Sequence, residues 1–181
     1  PQRAELTPSG LRTAYLPNDP VSSDKLRVQI NAYPLPTRSQ LYWDLSFKFG
    51  GSDATDIWPL TAYTRSPVLL WQLKVDPGFP SLGLLADTDP TDPTRLMLTF
   101  FQRLNNVSDY SRRWTVHGIK PGEFQDIVIA ANLDDRNPDE GGNGSLLIWF
   151  NGQQIVKQTG RTLIRDLPGP HRWAFGLYQM A

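Results

Sequence analysis

The stretch Leu41-Tyr42-Trp43-Asp44-Leu45-Ser46-Phe47-Lys48-Phe49 decides the fold class. Leu41, Trp43, Leu45, Phe47 and Phe49 fall on one face and Tyr42, Asp44, Ser46 and Lys48 on the other, the period of a β-strand with one buried side. Gly50-Gly51 ends the run. Further along, Ser145 to Phe150 and Gln153 to Lys157 alternate on either side of Asn151-Gly152, and Asn-Gly between two such runs selects a type I′ hairpin. The same reading gives strands over Val68 to Val75, Leu96 to Phe101, Arg113 to Val116, Asp126 to Ala131 and a closing His171 to Tyr178. Asp76-Pro77-Gly78 reads as a turn. Leu11 to Asp24 and Ala86 to Thr94, rich in Pro and Asp, are expected as loops, as is the polar stretch from Asn132 to Gly144. No helical stripe competes with these strands.

Sixteen prolines and fourteen glycines are spread along the chain, as punctuation between many short strands. The expectation is an all-β, concanavalin-like jelly-roll β-sandwich of two antiparallel sheets, one domain over residues 1–181.

Composition narrows the partners. With 18 basic and 18 acidic residues the formal net charge is zero, against the basic excess of a nucleic-acid binder. There is no cysteine, so disulfides, thiolate metal sites and cysteine nucleophiles are excluded. No apolar run approaches membrane-spanning length. The start at Pro1-Gln2-Arg3, without Met or a signal segment, reads as a mature fragment or a trimmed chain. His117 and His171 lie too far apart in sequence for a metal motif. The acidic runs Asp87 to Asp92 and Asp134 to Glu140 are expected as solvated turns rather than calcium loops. Asn106-Val107-Ser108 and Asn143-Gly144-Ser145 match the glycosylation acceptor pattern. No phosphate loop, nucleophile elbow or Ser-His-Asp arrangement stands out.

Alternation also selects side chains that share a face. Gln72 and Lys74 project together, opposite Trp71, Leu73 and Val75. Arg3 and Glu5 project together near the start. On the closing strand Trp173, Phe175 and Leu177 point inward, while Ala174, Gly176 and Tyr178 point the other way, so two minimal side chains leave a shallow trough beside a phenol. A sugar ring fits such a trough; small residues on a concave sheet explain the pattern equally well. His171, at the strand entrance, either lines the site or caps the strand. Arg65 and Arg112-Arg113 read as a basic rim for an acidic polymer or as solvated edges. Trp58 and Trp149 are the candidate surface rings for stacking on sugar faces.

Arg3-x-Glu5, Gln72-x-Lys74, the hairpin Gly144 to Val156 and the closing Gly176-x-Tyr178 occur in the order that resembles the jelly-roll polysaccharide lyases, the alginate, glucuronan and heparin lyase I-like groups. The resemblance covers nearly the whole chain. It implies β-elimination at a uronic acid in an acidic polysaccharide, with no cofactor or metal and no nucleic-acid or membrane partner. Tyr178 would be the acid/base, Gln72 and Arg3 the carboxylate neutralisers, and Lys74 a charge partner. Glu5 would hold Arg3, and Gln179, Arg65, Arg112 and His171 would contact substrate. The chain departs from the family at Lys74, where many members have His, and at Ala174, where the alginate group has a basic residue. Those departures motivate a rival reading, a carbohydrate-binding or structural module of a phage tail or cell surface. A glycoside hydrolase ranks last, because it needs two carboxylates flanking the bond and no tight Glu-x-Asp-x-x-Glu pattern occurs. The resemblance implies a secreted or virion-associated setting.

Overall fold

The computed structural model describes residues 4–7, 10–13, 25–31, 35–50, 67–75, 79–105, 110–165, 167 and 170–180; for 4–7, 10–13, 25–31, 75 and 177–180 the description is of the backbone. Twelve strands are present among them: β1 (Ala4–Thr7), β2 (Gly10–Thr13), β3 (Lys25–Asn31), β4 (Gln40–Phe47), β5 (Val68–Val75), β6 (Pro80–Asp89), β7 (Asp92–Gln102), β8 (Arg112–Ile119), β9 (Gln125–Asn132), β10 (Ser145–Phe150), β11 (Gln153–Thr159) and β12 (His171–Met180). One 3₁₀ turn, Pro138–Glu140, interrupts the connection from β9 to β10. β1 and β2 form a hairpin. The other strands make a four-stranded sheet, β11-β10-β9-β4, and a six-stranded sheet, β3-β12-β5-β6-β7-β8. All the pairings are antiparallel.

The alternation of β4 sets its orientation. Leu41 and Trp43 are buried while Tyr42 is 72% exposed. On β10, Leu146, Ile148 and Phe150 are buried in the same way. The inner faces of the two sheets close on each other through one apolar core. At its centre the Trp43 ring stacks on Trp71, 5.3 Å between centroids, with Trp173 at 6.4 Å and Phe175 at 6.1 Å. This contact fixes the inner side of β5 and β12, and hence which of their residues lie on the outer side.

The Asn151-Gly152 turn has φ of 49° and 78°, the two left-handed residues a type I′ turn requires. Asn151 also ties the turn to β9. Its Oδ1 accepts the Asp126 N–H at 2.8 Å and its Nδ2 donates to Gln125 Oε1 at 2.9 Å.

Three expectations need correction. Ala86 to Thr94 is not a loop but the tip of the β6–β7 hairpin. Leu11 to Thr13 belongs to β2. The acidic runs are not merely solvated turns, because Asp89 and Asp134 are each 1% exposed. Asp89 accepts the Thr91 N–H at 2.9 Å and hydroxyl at 2.7 Å, and its second oxygen accepts the Gly118 N–H at 2.9 Å and faces His117 Nδ1 at 3.2 Å. Asp134 accepts Arg136 Nε at 3.0 Å, Nη2 at 2.9 Å and backbone N–H at 3.0 Å, with the Asn143 N–H at 3.2 Å. The propensity of Asp for turns is satisfied locally while the strands continue around it.

Both carboxyls are held well below the usual carboxylate range. The Thr91 hydroxyl is the largest cause at Asp89, and the Arg136 guanidinium at Asp134. A carboxyl whose folded pKa is depressed stabilises the fold at pH above its unfolded pKa, about 3.9, and that stabilisation is lost as pH falls through the folded value. The melting temperature is therefore expected to drop between about pH 5 and about pH 1. Asp134→Asn should flatten that limb and lower the neutral-pH melting temperature; a variant profile parallel to the wild type would remove Asp134 from the account.

Candidate functional site

Three of the predicted residues, Gln72, Lys74 and Tyr178, lie on neighbouring strands of the six-stranded sheet. Register defines one row across it: Asn31, Ala174, Gln72, Gly83, Phe101 and Arg113, one from each strand. On one side of it lie Arg172 and Lys74, paired with each other. On the other side, Tyr178 pairs with Arg27 and Leu69, and the ladder continues through Leu85, Thr99 and Thr115. Gln72, Lys74 and the ladder position of Tyr178 therefore occupy three adjacent rows of the neighbouring strands β5 and β12.

Two bulges shape this region. The β5–β6 register shifts between Leu69 and Trp71, and the β12–β5 register shifts between Phe175 and Tyr178. The first turns Leu69 over to the face of Gln72, where its Cδ1 lies 3.2 Å from the point a Cβ on Gly83 would occupy. That same point is 2.3 Å from Phe101 Cζ, so only glycine lets the Phe101 ring cross β6 beside Gln72. In β12 the extra residue coincides with Gly176 at φ 142°, a conformation that side-chain-bearing residues rarely adopt.

The trough read from the closing strand is not open. Ala174 is 0% exposed and Gly176 is buried, while Gln72 is 4% exposed and Lys74 half-buried. Minimal side chains here admit close packing, of the kind seen where Leu69 and Phe101 lie over Gly83. No hydrogen bond joins the Gln72 amide to another described residue. An amide that no described residue pairs with keeps its N–H groups available to a ligand.

The other predicted residues are distributed as follows. Arg3, Arg65 and Trp58, with the turn Asp76-Pro77-Gly78 and the acceptor pattern at Asn106, lie outside the described residues. Glu5 pairs through its backbone with Arg12 on the β1–β2 hairpin. Gln179, opposite Leu26, holds the alternate ladder position to Tyr178. Arg112 pairs with Gln102 and is exposed, in the alternate register to Gln72; its neighbour Arg113 shares the Gln72 row. His171 is neither a strand cap nor on the Gln72 face. It is 0% exposed, between Val75 and Leu35, with both ring nitrogens unpartnered, and burial pushes its pKa down. His117 lies within β8, held against Asp89. Trp149, partly exposed, is on the outer side of the four-stranded sheet, away from Gln72.

The register also joins Arg113, one of the rim candidates, to Phe101, Tyr110 and Arg103, which the sequence reading does not single out. Phe101 and Arg113 stand two and three strands from Gln72 in its row, and Tyr110 and Arg103 pack with them. Only cross-strand pairing reveals this group.

No family model matches the chain, and no curated protein matches it. Among solved structures it is similar to the endo-β-1,4-glucuronan lyase of the fungus Trichoderma reesei, with 14% sequence identity and a TM-score of 0.55. The match covers 89% of this chain, which spans 66% of the length of that one. At this identity the likeness is one of fold, and with the two stacked antiparallel sheets it establishes the chain as an all-β jelly-roll sandwich.

Proposed function

We propose that this protein is a polysaccharide lyase that cleaves a uronate-containing polymer by β-elimination. The observation that carries the reading is the place of Gln72, whose amide pairs with no other described residue, one row from the ladder position of Tyr178 and one from Lys74. The fold it shares with a glucuronan lyase supports the reading.

The chemistry explains why such a site needs these groups. The C5 proton of a uronate is weakly acidic, because its removal adds negative charge beside a carboxylate. Donors aimed at that carboxylate lower the cost of the charge as it develops, and preorganised donors of this kind are usually the largest contribution to catalysis. Gln72 supplies amide N–H groups, Arg3 a guanidinium and Lys74 a positive charge. Tyr178 takes the C5 proton. The C5–H electron pair becomes the C4–C5 double bond, the C4–O4 bond breaks, and a proton is delivered to the leaving O4 oxygen. No water is consumed. A phenol is a weak base at neutral pH, and a nearby cation favours its ionised form. Lys74 fills that part in place of an imidazole. An extracellular setting, where such polymers occur, goes with this reading.

The closed trough favours one rival, a module on the same fold that binds a glycan without cleaving it. One assay separates the two: incubation with polyglucuronate, alginate and heparin-type polymers while following the ultraviolet absorbance of the unsaturated product. A time-dependent rise with at least one polymer is expected. Binding without any rise would replace the lyase with the binding module.

A further inference from the structure

Three strands from Gln72, the same outer face carries a second cluster that the elimination does not use. The Tyr110 ring takes two guanidiniums, with Arg103 Cζ 4.3 Å and Arg113 Cζ 4.5 Å from its centroid. Phe101 meets the Tyr110 ring edge-on at 5.0 Å and 77°. Arg103 also lies 5.1 Å from the Phe101 centroid and 5.9 Å from that of Phe79. Aromatic faces thus hold both cations in place without neutralising them.

Arg103 is 7% exposed, its Nε has no hydrogen-bond partner, and Nη1 reaches the Pro80 carbonyl only at 3.4 Å. Arg113 is exposed. Among the described residues no carboxylate pairs with either guanidinium. Two like charges around one phenol repel, and a buried guanidinium with unused donors is costly. A fold kept for stability alone gains nothing from that arrangement. A guanidinium stacked on a ring still presents its N–H groups along its own plane, the geometry that takes a carboxylate in a bidentate grip.

We infer that Arg113, with Arg103 and Tyr110 behind it, is a binding subsite for the carboxylate of a uronate unit away from the one being cleaved. This rests on the lyase reading for its polymer but not for its geometry. Gln72 and Arg113 stand in one row across β5, β6, β7 and β8. Three inter-strand spacings separate them by about 14 Å. A polyuronate laid across the strands from Gln72 meets Arg113 a few sugar units on. The subsite makes the enzyme select a charged polymer over a neutral one by binding rather than by chemistry.

The test is a binding measurement that needs no turnover. Titration calorimetry would compare polyglucuronate with the same polymer after carboxyl reduction, for the wild type, Arg113→Gln and Arg103→Lys, with melting temperatures alongside. Arg113→Gln is expected to weaken polyglucuronate binding about tenfold or more and to leave binding of the reduced polymer within about twofold. Arg103→Lys keeps the charge but not the planar fork, and should weaken the same polymer selectively. Because Arg113 is exposed, its substitution leaves the core intact and the result readable even if the Arg103 variant unfolds. Equal losses on both polymers, or no loss, overturn the subsite. Selective binding that depends on Arg113 without cleavage keeps the subsite and overturns the lyase; cleavage with unchanged polyglucuronate affinity in Arg113→Gln does the reverse.

Discussion

Tyr178→Phe is expected to lower kcat on polyglucuronate by roughly 10²–10⁴-fold, the range by which a positioned acid/base accelerates proton transfer. The substitution removes one oxygen and keeps the ring, so β12 should still pair with Leu69 and Arg27 on its two sides. The melting temperature should move by no more than a few degrees, since one hydroxyl contributes about 1 kcal/mol and domains of this size shift about 2–4 °C per kcal/mol. A pH profile adds a reading that a structural role would not move. If the ionised phenol takes the C5 proton, the wild-type rate climbs with pH toward the phenol pKa, near 10 in the absence of perturbation. The variant should lose that climb along with its rate. Retention of activity within about threefold, or an unchanged profile, would assign the proton transfer to another group.

How far the sequence shows this depends on which contacts set each feature. The alternation of β4 and the Asn151-Gly152 turn depend on local pattern and backbone preference, and both are plain from the residues alone. The β6–β7 tip is not, because its Asp and Pro residues mark a turn while Asp89 and Asp92 bond Thr91 and Thr94 and let the strands run to the very end. The site divides in the same way. The period of β5 puts Gln72 opposite Trp71 and Leu73, and it stands there. Strict alternation would send Leu69 inward with Trp71; the bulge reverses it, and a bulge is fixed by the neighbouring strand. Which of Arg112 and Arg113 shares the row of Gln72 is likewise a matter of register with β7, which the chain alone does not set. Tyr110 precedes β8, and its packing between strands has no signature along the chain.

Trp43→Ala is expected to cost about 3–5 kcal/mol, the range for truncating a large buried aromatic ring. Trp43 is 8% exposed and is the residue of the four-stranded sheet that touches Trp71, Trp173 and Phe175 of the six-stranded one. Its removal takes away the area it buries and the ring contacts together, and no small side chain on β4 can reach across the space. A domain's whole stability is about 5–15 kcal/mol, so the variant should sit near the edge of folding. Denaturant unfolding would read this as a lower midpoint with an unchanged slope. Trp43→Phe, which keeps a ring in the stack, should lose distinctly less. The site should feel the loss as well, because Trp71, Trp173 and Phe175 are the inward neighbours of Gln72 and Ala174 along β5 and β12, and Trp43 stacks or packs against all three rings from the facing sheet. Affinity for polyglucuronate, measured well below the variant's melting temperature, should fall with it. A cost below about 1 kcal/mol would mean that the two sheets are held together elsewhere, and the aromatic stack would then no longer be what positions Gln72.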